Sequence, residues 1–277
     1  MHTAVVPQRA SASGAIAWPL RIARELLERQ RGLALFGATL LLLLLPGAIA
    51  WSLDDRSLRG ANVWIKPMKF SLSIAVLALT TAWFIGHLPR ERRSAPGVRA
   101  VVAIILVAGS FELAYITLQA GLGQASHYNV GDPLHALMYT LMGIGALVLT
   151  ASQPLLAWQL HRHADTALAP AYRQAVVLGL VLAFVLGAGA GIPLSALPPA
   201  PGPGLPILGW SVVAGDLRPA HFLGIHAAQL IPLAGAAIVA AHVANPQTWV
   251  RVVAIGYVAA WLALLAQALT GVPLLRV

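Results

Sequence analysis

Seven stretches of this chain are apolar for long enough to cross a bilayer, and nothing else in it limits the fold as strongly. A hydrocarbon core about 30 Å thick is crossed by roughly 20 apolar residues in a helix. Inside it the backbone must satisfy its own hydrogen bonds, which leaves helices or a closed barrel. The runs are far too long for barrel strands. Only 10% of the 277 residues are charged and 58% are hydrophobic, whereas a soluble domain carries about 25% charged residues. The expected fold is all-α, a bundle of seven transmembrane helices.

The spans are expected at Leu33–Leu53, Trp64–Gly86, Val98–Ala120, Asp132–Leu160, Gln174–Leu197, Ala220–Ala244 and Trp249–Thr270. Pro67 and Pro133 suit first helical turns, where a missing N–H costs little, and Asp132 supplies a carboxylate cap. Residues 1–32 form a basic arm, within which Trp18–Leu27 has the spacing of a short amphipathic helix lying on the membrane surface. Residues 33–277 form one membrane domain. Ala48-Ile49-Ala50 resembles a signal-peptide cleavage site after the leucine run, but the leader would be unusually long, so a first span is the expected reading.

Seven spans put the termini on opposite sides. Twelve Lys and Arg fall on the side of the N-terminal arm and six on the other. The excess predicts a cytoplasmic N-terminus and an external Val277. Trp51, Trp64, Trp158, Trp210 and Trp249 stand near span ends, as interfacial anchors do. Gly187, Gly189 and Gly191 allow close helix packing, within the subunit or between subunits.

An ionisable side chain in hydrocarbon is expensive and raises a question of function. With this topology the costly groups fall in one external layer. Lys66, Lys69 and Ser73 share a face of the second span, and Glu112, Tyr115 and Gln119 a face of the third. Glu112 should lie about 12 Å below the external end of its helix. His135 and Tyr139 open the fourth span behind the polar loop that holds His127 and Asp132. Asp216, Arg218, His221, His226 and Gln229 open the sixth. His221 and His226 are about 140° apart on a continuous helix and do not point at one spot.

Three readings of this layer compete. The helix N-termini with Lys66, Lys69 and Arg218 could bind or carry a small anion or a lipid head group, with Glu112 as a proton-linked partner. His135 and His226 could clasp haem b as an axial pair. Or the groups could form a purely structural ion-pair network. The absence of cysteine removes disulfides and thiolate metal sites. HFLGIH lacks the further paired histidines of a desaturase di-iron site, and the last span has no lysine for retinal. The positive charge is spread over membrane-flanking loops, which argues against nucleic acid as a partner and leaves the lipid bilayer.

WIKPMKF (Trp64–Phe70), SHYNVGDPLHALMY (Ser126–Tyr139) and GDLRPAHFLGIHAAQ (Gly215–Gln229) resemble the signature segments of a family of uncharacterised bacterial multi-pass membrane proteins. The resemblance implies an inner-membrane location and little chemistry.

Overall fold

The computed structural model describes residues 12–198 and 200–276. The first eleven residues of the basic arm and Val277 lie outside them. Ten α-helices make up the described chain: α1 (Ala12–Arg29), α2 (Arg31–Leu42), α3 (Leu44–Leu53), α4 (Ile65–Ile85), α5 (Pro96–Gly121), α6 (Pro133–His163), α7 (Pro170–Ala196), α8 (Arg218–Ile225), α9 (Ala227–Ala240) and α10 (Pro246–Leu269). The one sheet is a two-stranded ribbon, β1 (Ser57–Leu58) with β2 (Ala61–Asn62).

Proline sets the helix starts. It occupies one of the first two positions of α5, α6, α7, α8 and α10, where its fixed φ helps and its missing N–H is no loss. Pro46 acts differently. It lies inside the first span, and the ladder breaks between α2 and α3 just beyond Leu42, whose carbonyl a helical residue 46 would have paired. The two pieces together still form one span, Arg31–Leu53.

Among the described residues six spans are long and apolar enough to cross a membrane on their own, and the bent pair α8–α9, taken as one span, makes the seventh. The protein is therefore a multi-pass, all-α membrane bundle. Its seventh member departs from the continuous helix expected at Ala220–Ala244. At His226 the backbone turns out of helical geometry (φ −81°, ψ 0°) and the axis bends by 50°. The Tyr257 hydroxyl donates to the carbonyl of Leu223 beside the break. That bond is what lets an interrupted helix survive in hydrocarbon.

The helices pack in the order α2, α4, α5, α6, α7, then α8 and α9, with α10 against α7, α8 and α9. The central spans α4 and α7 have 44% of their apolar windows buried, against 11% for α6 and 17% for α10. The last two thus present most of their surface to lipid. α1 lies against α2 and α4 and leaves Trp18, Leu20, Ile22 and Leu27 exposed.

The small residues of α7 serve packing within the subunit. A Cβ on Gly187 would meet Ile225, one on Gly191 would meet His221, and one on Gly179 would meet the Ala227 carbonyl. The reciprocal contact sets backbone against backbone. A Cβ on Gly224 would stand 2.7 Å from the Leu186 carbonyl carbon and 2.8 Å from the Gly187 nitrogen. Backbone cannot yield as a side-chain tip can. Gly224→Val should therefore cost about 1–3 kcal/mol, the usual penalty of overpacking, seen as a lower unfolding temperature in detergent, whereas Gly143→Ala, with open space around it, should be neutral.

Candidate functional site

Three connections close over the end of the bundle that holds Lys66. The first is the ribbon. Arg59 (φ 53°) and Gly60 (φ 76°) are its two turn residues, and positive φ at both is the geometry a two-residue hairpin prefers. Asp54 ties it down. Its carboxylate accepts from Arg56 Nε (2.9 Å) and Nη2 (2.7 Å) and from Trp64 Nε1 (2.8 Å). These bonds hold the Asp54 carboxyl well below the usual carboxylate range. Arg56 also donates to the Gly121 carbonyl at the end of α5, and the Arg59 guanidinium lies 5.5 Å from the Tyr128 ring.

The second connection runs from α5 to α6. His127 packs between Phe70 and Tyr139, with ring centroids 5.8 Å away on each side. Burial, with the charge of Lys66 next, pushes the His127 imidazole down to about 3, so it is neutral at physiological pH. The hydroxyls of Tyr128 and Tyr139 donate to the carbonyls of Leu194 and Ser195. They satisfy the last turn of α7. Asp132 caps α6, accepting from the backbone N–H of Leu134 and His135 at 3.0 Å each.

The third connection leads from α7 to α8. Asp216 is buried; burial alone would raise its carboxyl, but Arg218 and the N–H groups of Ser211 and Arg218 hold it below the usual range. Lys69 Nζ donates to the Leu208 carbonyl in this loop (3.2 Å). His221 Nδ1–H donates to the Gly187 carbonyl (2.9 Å), which turns its ring toward α7.

Beneath these loops, Glu112, Tyr115 and Gln119 are all buried on α5. Glu112 is 2% exposed, its Oε1 has no hydrogen-bond partner, and it points at α6, where a Cβ on Gly145 would come within 3.0 Å. Lys66 is close enough for its charge to act on Glu112, yet no ion pair closes among the described residues. Gln119 Oε1 is likewise unpartnered. Lys66, Lys69 and Arg59 form no ion pair among the described residues, whereas Arg56 and Arg218 are each bound to an aspartate.

The single layer expected from the sequence resolves into two tiers. Gly109 packs on Ile74, which sets Glu112 beside the first turns of α4. His226 Nδ1–H donates to Gln229 Oε1 (3.1 Å), and Gln229 Nε2 donates to Thr80 Oγ1 on α4 (3.3 Å). Thr80 stands about 22 Å from the start of α4 by the α-helical rise. His226 and Gln229 therefore lie deeper than Glu112, by about 13 Å at Gln229.

Two expectations fail on this geometry. His135 and His226 do not form an axial pair: α6 does not pack on α8 or α9, and both ring nitrogens of His135 are engaged, by Asp132 and Gln124. No group of three or more metal-ligating side chains occurs among the described residues. Nor do three bare helix N-termini face the site. Asp132, Asp216 and Asn62 already accept from the first N–H groups at the starts of α6, α8 and α4. The cations there are side chains.

At the opposite end lie residues that sequence reasoning passed over. Arg29 donates to the Trp83 carbonyl and stacks 4.0 Å over its ring, and Arg93 donates to the carbonyls of Gly86 and Leu88. His87 sits among Trp83, Phe84 and Tyr172 with Nε2 unpartnered. A groove of about 280 Å³ lies among Glu25, Glu28, Arg29, Arg90 and Arg93, and one of about 600 Å³ beside Pro170, Ile238 and His242. Thr80 had a signal in the sequence, since it continues the Lys69–Ser73 face of α4 at positions i, i+4 and i+11.

Burial, then the charges of Arg29 and Arg93, push the His87 imidazole down from 6.5 to about 4. Between these values the unfolded chain binds the proton and the folded one does not. The contribution is intact above pH 6.5, lost as the pH falls to about 4, and constant below. His87→Phe, which suits the aromatic cage, should flatten part of the fall in unfolding temperature over that window, leaving the share due to His127.

Comparison with known families, with curated proteins and with solved structures finds no match to this chain.

Proposed function

We propose that the Lys66 end binds an anion, carried by a small molecule or a lipid head group, in a protein of the bacterial inner membrane. The observation that carries this reading is three cationic side chains, Lys66, Lys69 and Arg59, that form no ion pair among the described residues, beside one buried carboxylate, Glu112, with an unpartnered oxygen. A structural network would close a pair between Lys66 and the buried Glu112, because an unpaired charge inside the bundle is costly. Here the aspartates pair with Arg56 and Arg218 instead. The excess positive charge is held where ligand can neutralise it. Glu112 then opposes the anion when ionised and admits it when protonated.

The orientation follows from the charge count of twelve against six, which supports a cytoplasmic N-terminus and places this site toward the outside. Because the chain has no cysteine, single cysteines report sides cleanly. Arg56→Cys should react with an impermeant maleimide in intact cells and Arg92→Cys only after lysis; the reverse pattern would invert the orientation.

Binding is tested with radiolabelled phosphate and glycerol phosphate on the purified protein. Lys66→Ala and Lys69→Ala should each weaken binding about tenfold, the scale of one charge-assisted hydrogen bond. Wild-type affinity should rise as the pH falls, and Glu112→Gln, a stand-in for the protonated carboxyl, should bind well at every pH. No binding of either anion by the wild type would remove the small-anion form of the proposal.

A further inference from the structure

We infer that the anion enters from the side, as the phosphate of a glycerophospholipid, through a crevice between α4 and the bent pair α8–α9. This rests on the anion reading above and specifies the molecule that carries the charge.

The crevice is built from helix faces that do not pack. α4 is covered by α1, α2 and α3 on one side and by α5 on another, and among the described residues its contact with α8 and α9 is sparse. Its remaining face carries Lys69, Ser73, Val76 and Thr80 at helical spacing, every one of them half-buried. The facing wall is Phe222, His226 and Gln229. Phe222 is 50% exposed, with the His226 ring 4.2 Å away and Trp210 above it at 6.1 Å.

Each end of the crevice is closed by named contacts. Lys69 bonded to the Leu208 carbonyl forms the roof, and Gln229 bonded to Thr80 crosses the floor. Deeper still, His87 meets Tyr172 at 5.4 Å and shuts the space between α4 and α7. Laterally no hydrogen bond or ion pair among the described residues crosses it besides these. Leu72 and Leu230, beside the opening, are 47% exposed each, in a region that faces hydrocarbon.

A polar track bordered by exposed apolar side chains suits an amphiphile better than a free ion. Lys69 meets the phosphate while the acyl chains stay against Phe222, Leu72 and Leu230. His226 adds selectivity. Its Nδ1–H is given to Gln229, so Nε2 keeps its lone pair as an acceptor for a hydroxyl. A head group with both a phosphate and a hydroxyl, such as glycerol phosphate esterified to diacylglycerol, satisfies both ends.

The test uses the full chain in phosphatidylcholine nanodiscs with a bimane label on Ser73→Cys. Chain-nitroxide phosphatidylglycerol should quench it at about one fifth of the mole fraction needed with nitroxide phosphatidylcholine, the enrichment expected of one lysine beside an anionic head. Lys69→Ala should abolish the difference. His226→Phe should erase any preference for phosphatidylglycerol over phosphatidic acid. A label on Leu147→Cys, on the lipid face of α6, should report only the small preference of bulk lipid. Thr80→Cys serves as a second position if the label at 73 prevents folding. Equal quenching by the two lipids at 73 and 80, or none by either, overturns the inference. If glycerol phosphate still binds the purified protein in that case, the anion site stands and only the lateral route fails; if it does not, both fail.

Discussion

In hydrocarbon a backbone carbonyl with no partner costs more than almost any packing defect, and this bundle is arranged around that cost. Most of its polar side chains are committed to backbone groups. Arg29 and Arg93 take the carbonyls at one end of α4, Tyr128 and Tyr139 those that finish α7, and Arg56 the last of α5. Tyr257 takes the one beside the break at His226. At the Lys66 end the groups left without a counter-charge or a partner among the described residues include Lys66, Lys69, Arg59, the Glu112 carboxylate and the Gln119 carbonyl oxygen. The functional reading is in effect a reading of what the scaffold leaves unused.

The two tiers give those remnants different surroundings. The upper one lies under loops, close to aromatic rings and to paired aspartates, and it holds the excess positive charge. The lower one is a neutral relay, His226 to Gln229 to Thr80, between two spans that otherwise stay apart. An anion gains from the first and not from the second. A hydroxyl gains from the second.

Span number, span limits and the polar end of the bundle were legible in the sequence, because length and hydropathy are local properties. Depth was not. Counting rise from a loop assumes that every helix enters at one plane, but α4 begins well above the level at which α8 reaches His226, so His226 sinks relative to Glu112. The ribbon at Ser57–Asn62 escaped notice because Arg59-Gly60 is a weaker turn signal than Asn-Gly. The break at His226 has no proline or glycine at that position, and the carbonyl of Leu223 beside it is satisfied by Tyr257, a tertiary partner that local sequence does not reveal. The helix N-termini were overvalued because their N–H groups are claimed by Asp132, Asp216 and Asn62 within a few residues, which composition alone does not reveal.

The backbone-to-backbone contact of Gly224 with Leu186 and Gly187 has a mechanical corollary. It locks α7 and α8 into one block, while α2, α4 and α5 form another. Along the crevice between α4 and the pair α8–α9 the described hydrogen bonds are two, Lys69 to Leu208 and Gln229 to Thr80, while α6 packs on both α5 and α7 and joins the two blocks at the back. Breaking those two bonds would cost about 1–3 kcal/mol, so a few molecules in a hundred would have the rim of the crevice parted at room temperature. Such a rim opens without any helix unfolding, with α6 as the spine that both blocks keep.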